Sequence, residues 1–196
     1  MKFFIKIFNP LLLSWLFIIY LMGCANGLTS NAKKLSIYEI INKLNANVIF
    51  VRHALAPGIG DPENFELNDC SKQRNLDSEG KKQAEELGNF FRDSKLTFYE
   101  ILSSEWCRCK ETSSLLKFGS WKIFSGLNSF FDGHVNKEET LKDLKLKLDS
   151  LKPNTLVLMV THQVNISAIT GKFVSSGGIV IYNSVTGISE SFEWSN

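Results

Sequence analysis

Two short stretches of the chain, 47–51 (N-V-I-F-V) and 155–160 (T-L-V-L-M-V), are apolar at nearly every position rather than at alternate ones. A strand with one face in water alternates; an unbroken run fits a strand covered on both faces, as in the middle of a parallel sheet. Strands of that kind present ligand-contacting groups at their C-terminal ends, in the crevice outside the sheet. The first stretch runs directly into Arg52 and His53, and the second into Thr161 and His162.

The segments around them alternate between helical and strand spacing. Residues 35–44 have the i, i+3, i+4 spacing of a small leading helix. Residues 54–74 are rich in Pro, Gly, Asn and Asp without a period, and long loops of this kind are usually functional. Asp77-Ser78-Glu79-Gly80 starts a helix, with Asp77 or Ser78 as N-cap and Ala84, Leu87, Phe90 and Phe91 as its buried stripe. A strand follows at 98–102, leading to Ser103-Ser104, then a helix at 107–116 and a short strand at 121–124. Residues 138–151 predict a helix with Leu141, Leu144, Leu148 and Leu151 along one face, broken by Pro153-Asn154. A helix at 164–170 closes at Gly171, and 178–182 and 188–194 read as final strands joined near Thr186-Gly187. This alternation predicts an α/β fold, three layers α/β/α around a mostly parallel central sheet.

The N-terminus departs from that plan. Lys2 and Lys6 precede an apolar run, and Leu21-Met22-Gly23-Cys24 closes it. Residues 1–23 thus predict a secretory signal, too short and asymmetric for a stable span. Leu21-Met22-Gly23-Cys24 resembles the bacterial lipobox, which makes Cys24 the expected lipidation site; a simple N-terminal membrane anchor is the alternative. Residues 24–46 form a tether and the leading helix, and 47–196 the expected catalytic domain. The 196-residue chain is 44% hydrophobic and 21% charged, ordinary for one soluble core. Its formal charge of +2 belongs to the leader: removing Lys2 and Lys6 takes the 22 basic residues to 20, equal to the 20 acidic ones. Lysines interleaved with acids rather than gathered in a stripe argue against nucleic acid. Export would let disulfides persist; Cys70 can bridge Cys107 or Cys109, leaving one odd thiol.

Chemistry enters with the strand ends. His53 and His162 would face each other across one crevice, with Arg52 beside them. Arg108 emerges at the same edge, near the start of the helix after the second strand. Two arginines, two histidines and a helix N-terminus describe a phosphate site, since guanidinium forks match phosphate oxygens bidentately. Three histidines with Asp132 offer no local ligand pair, so no metal or other cofactor is expected.

The order R-H-A, then S-E-W-C-R-C-K-E-T, then V-T-H resembles the histidine phosphatase superfamily, which includes the phosphoglycerate mutases and bacterial phosphohistidine phosphatases. The likeness runs over roughly residues 47–180. It implies a phosphoglycerate mutase-like fold and a metal-independent phosphomonoesterase acting through a phosphohistidine on His53. Arg52 and Arg108 would hold the phosphoryl oxygens, with His162 as the fourth member of the pocket. Arg74 resembles a further arginine of some members, and Asp61 and Gln163 are expected with it against the substrate. A carboxylic acid must protonate the leaving alkoxide: Asp132 first, Asp61 second, Glu105 third. Ala54, Glu105, Cys109 and Gln163 stand where the family has glycine, proline, alanine and glycine; Ala54 matters only if its backbone needs φ > 0. The expected partners are a phosphorylated small molecule or an envelope phosphate, and the membrane through the N-terminal lipid. The competing reading is an envelope-binding lipoprotein that keeps the fold without turnover.

Overall fold

The computed structural model describes residues 35–152 and 154–194. The leader, Cys24 and the tether up to residue 34 lie outside the described residues.

The two unbroken apolar runs form neighbouring central strands, β1 (Val48–Arg52) and β4 (Val157–Thr161), paired in parallel with Val48 opposite Val157 and Arg52 opposite Thr161. The six strands run β3-β2-β4-β1-β5-β6, where β2 is Glu100–Ser103, β3 Lys122–Ile123, β5 Ile179–Tyr182 and β6 Ser189–Phe192. Strands β1 to β4 are mutually parallel; β5 is antiparallel to β1, and β6 to β5. The sheet is therefore mostly parallel, as the pattern predicts.

Both faces are covered, which is why the central strands do not alternate. Ile49, Val51, Leu158 and Val160 pack under α1 (Ile37–Leu44), α2 (Ser78–Asp93) and α3 (Cys107–Leu115), against Ile37, Leu87, Phe91 and Cys109. Their neighbours Val48, Phe50, Val157 and Met159 face the other way, toward Leu144 and Leu148 of α4 (Lys137–Asp149) and Ile166 of α5 (Gln163–Thr170). Full burial of each such side chain contributes roughly 1.5–3 kcal/mol, so the sheet centre holds the site rigidly.

Element ends shift by one or two residues from the sequence reading. Strand β2 starts at Glu100 rather than 98, and α4 starts at Lys137 because the Asn136 side chain caps it, accepting from Glu139 N. On α2, Ala84, Leu87 and Phe91 are buried, whereas Phe90 is only partly so, stacking on Phe192 and Trp194 at the sheet edge. Helix α5 ends as expected at Gly171, whose φ of 68° is the left-handed cap glycine favours. At Gly80 the requirement is space: a Cβ there would lie 1.9 Å from the Leu55 carbonyl oxygen. The first turn of α2, capped by Asp77, thus sits directly on the loop that leaves β1.

Candidate active site

The register of β1 against β4 brings the two histidines together. His53 N donates to Thr161 O at 2.9 Å, and the His53 and His162 rings lie edge to face, 5.3 Å apart. Both rings are buried at the floor of a cavity of about 560 Å³ that Arg52, Arg74, Arg108, Asp132, Lys137 and Gln163 also line.

The His53 ring is fixed from both sides. Its Nδ1 lies 2.8 Å from the Ala54 carbonyl, an acceptor only, so Nδ1 carries the proton and Nε2 the lone pair. Arg108 Nε–H donates to that Nε2 at 3.2 Å. Burial first, then the Arg108 charge, holds the His53 pKa well below the usual histidine range. The imidazole is neutral, the form a nucleophile needs. Ala54 sets the carbonyl in place without the left-handed region. Its N–H donates to Thr112 Oγ1 at 3.1 Å, and Thr112 Oγ1–H donates to Arg108 O at 2.7 Å. Thr112, read from sequence as pocket wall, thus ties the nucleophile's loop to the arginine's helix.

His162 is ordered through a polar chain behind the site. Ser104 Oγ donates to Asn128 Oδ1 at 3.1 Å and so accepts Nε2–H of His162 at 3.0 Å. This leaves Nδ1 as the nitrogen that can serve a ligand. Burial, followed by the charge of Arg108, lowers the His162 pKa as well. The free Cys109 thiol is buried, 3.4 Å from the same Nε2, and burial pushes it up to about 12, so it stays a neutral packing group.

Arg108 is the most constrained cation. Its side chain is 3% exposed, and Asp61, 2% exposed, takes its two terminal nitrogens at 2.8 and 3.1 Å. Asp61 also accepts from Arg74 N at 3.0 Å and Trp106 Nε1 at 3.0 Å. Burial acts to raise the Asp61 pKa, but the hydrogen bonds from Arg108 and Arg74 outweigh it and hold the carboxylate below its usual range. This corrects two expectations. An ionised carboxylate with four donors has no proton to give and no lone pair aimed at a substrate, so Asp61 positions Arg108 instead. The helix bearing Arg108 is further pinned by a Cys70–Cys107 disulfide, which ties its first residue to the 3₁₀ turn Cys70–Lys72 of the long loop.

Arg52 and Arg74 approach the cavity from the sides. Arg52 Nη1 donates to Val174 O at 3.0 Å, and its buried Nε has no partner among the described residues. Arg74 Nε donates to Gly60 O at 2.8 Å, and Nη1 to Ala56 O. The other expected contacts divide. Asp132, exposed at the cavity rim, accepts from Asp61 N at 3.1 Å. Glu105 is turned to Asn128 Nδ2 and does not line the cavity. Gln163 lines it, but its amide is committed: Nε2 donates to Ser167 Oγ and Lys172 O, and Oε1 accepts from Val174 N. With both donors used and Oε1 held by Val174 N, Gln163 shapes the 171–174 segment. His134 stacks on Phe65 with ring centroids 4.1 Å apart. Among the described residues no cluster of three or more His, Cys, Asp or Glu could hold a metal ion.

Sequence reasoning missed Ser104, Asn128 and Lys137 as parts of the site. Ser104 was visible as the residue that opens the S-E-W-C-R run ending on Arg108; Asn128 and Lys137 carried no local signal.

No protein-family model matches the chain, and no curated protein matches it. Solved structures do. The protein histidine phosphatase SixA, complexed with tungstate, superposes with a TM-score of 0.52 at 15% identity, covering 75% of this chain and 94% of that one. A mycobacterial glucosyl-3-phosphoglycerate phosphatase gives 0.53 at 12% identity, with 76% and 98% covered. Phosphoserine phosphatase from Entamoeba histolytica, complexed with 3-phosphoglyceric acid, gives 0.52 at 17% identity, with 76% and 96% covered.

Proposed function

We propose that this chain, which has the fold of the histidine phosphatases, is a phosphomonoesterase that passes the phosphoryl group from an alcohol to Nε2 of His53 and then to water. The observation that carries this reading is the His53 tautomer: the Ala54 carbonyl takes Nδ1–H, leaving the Nε2 lone pair in a cavity lined by three arginines and His162.

In the first step Nε2 attacks phosphorus as the ester P–O bond breaks. The Arg108 Nε–H that faces Nε2 turns to a phosphoryl oxygen, and Arg52 shares the charge spread over the others, joined by His162 once its Nδ1 has taken the proton of the bound phosphate monoanion. Asp132, protonated, gives its proton to the leaving alkoxide; as carboxylate it then takes a proton from the water that attacks the phosphohistidine. The arginines supply the charge that a metal supplies in other phosphoryl transferases, so turnover needs none.

Export and lipid attachment at Cys24 belong to the same proposal. They rest on the leader, and the Cys70–Cys107 bridge supports an oxidising compartment.

Hydrolysis of p-nitrophenyl phosphate, with and without chelator, tests the reading. Activity that survives chelator and vanishes in His53→Ala supports it. Activity lost to chelator points to a metal-dependent hydrolase, and absence of turnover at acidic and neutral pH to a binding protein on the same fold.

A further inference from the structure

The cavity floor is cationic, but its mouth is not. Three loops bring large apolar side chains to the rim: Ile59 from the loop after β1, Phe131 from the segment before α4, and Phe173 from the segment after α5. They are 90%, 57% and 78% exposed, respectively. An exposed apolar residue is ordinary by itself, and this surface has others, such as Tyr38, Tyr99 and Val185. What sets these three apart is that they come from separate segments and share one cavity, with Val164 and Ala168 continuing the apolar wall.

The polar side chains of the same wall leave little for a hydroxylated substrate. Gln163 and Ser167 bond each other and the Lys172 carbonyl, and Ser129 Oγ accepts from Phe131 N at 3.4 Å. Lys137 extends its ammonium over the Phe130 ring, 5.7 Å from the centroid. Beyond the phosphate cluster and Asp132, a sugar ring would find few fixed donors or acceptors, and each unmatched hydroxyl would lose its water. A hydrocarbon would lose nothing there and would cover three exposed side chains.

We infer that the substrate is the monophosphate of a hydrocarbon alcohol, with the phosphate held at His53 and the apolar body against Ile59, Phe131 and Phe173. This rests on the phosphomonoesterase reading and names its substrate class. The phosphate anchors the ligand, and the mouth selects what is attached to it.

The test is a series of n-alkyl monophosphates from ethyl to octyl, compared with glucose 6-phosphate and O-phosphoserine, and measured as phosphate release. The expected kcat/KM rises with chain length, by as much as about fourfold for each methylene fully buried. Phe173→Ser and Phe131→Ser flatten that slope. A flat or falling series, or glucose 6-phosphate or phosphoserine outperforming hexyl phosphate, overturns the inference and leaves the phosphatase reading intact. Binding of n-alkylphosphonates, which cannot turn over, separates the two ideas. A Kd that falls with chain length while no ester is hydrolysed upholds the mouth and sinks the phosphatase, and a Kd indifferent to chain length sinks the mouth alone.

Discussion

Arg108 Nε–H donates to Nε2 of His53 across 3.2 Å while Asp61 holds the far end of the same guanidinium. The nitrogen that would attack phosphorus therefore already faces the cation that would receive the phosphoryl oxygens. Preorganisation of this kind acts in the transition state without reorganising charge at the moment of reaction. It depends on a carboxylate that touches no substrate.

Removing that carboxylate charge should release Arg108. Asp61→Asn leaves a buried guanidinium without its counter-charge, which costs about 3–5 kcal/mol of stability. The expected signature in thermal unfolding is a lowered Tm that inorganic phosphate restores more strongly than it raises wild type, because the anion pairs with Arg108 instead. A variant as stable as wild type would show that Asp61 does not carry the charge balance.

Asp132 and Asp61 should separate by leaving group. A nitrophenolate departs without a proton, whereas an alkoxide needs one. Asp132→Asn is expected to lower kcat on an alkyl phosphate by about 10²–10⁴ and to have a much smaller effect with p-nitrophenyl phosphate. Equal losses on both substrates would remove Asp132 from proton transfer.

The two buried imidazoles make stability depend on pH. Both are held neutral in the folded chain, whereas in the unfolded chain each takes a proton near pH 6.5. Below that pH the unfolded state binds more protons. The stability gained from burying neutral rings is thus complete above about pH 6.5 and is lost as pH falls toward the folded pKa values, at up to ~1.4 kcal/mol per pH unit for each ring. Asp61 adds a loss only at lower pH, because its depressed pKa keeps its contribution intact down to its unfolded value near 3.9. Tm measured between pH 7.5 and 5 should fall in wild type and about half as steeply in His162→Gln.

The Cys70–Cys107 bridge should stabilise the chain and steady Arg108. It closes a sequence separation of 37, for which the loop-entropy model gives about 4 kcal/mol. Cys70→Ser with Cys107→Ser is expected to unfold at lower denaturant. If the bridge also positions α3, the variant should lose kcat on p-nitrophenyl phosphate, a loss that reductant reproduces in wild type.

What the sequence made legible follows from burial on two faces. Strands β1 and β4 could be read because unbroken apolar runs have few other uses, and each ended in a histidine that the parallel register then brought together. Arg108 was legible because a helix start places it at the same edge. Asp61 was not: its partner lies 47 residues on, and nothing local distinguishes a carboxylate that holds an arginine from one that gives a proton. Gln163 misled for a similar reason, since its amide is used by Ser167, Lys172 and Val174 across a turn with no sequence signature. The question raised by Ala54 is answered by Thr112, which takes its N–H in a conformation that alanine adopts freely.

The central claim is that phosphorus is bonded to His53 Nε2 during turnover. Wild type mixed with a phosphomonoester, quenched in alkaline denaturant where phosphohistidine survives, digested and analysed by mass spectrometry should carry a phosphoryl group on the peptide spanning His53. That adduct should be absent from His53→Ala. A phosphoryl group on His162, or on any residue other than His53, would contradict the account.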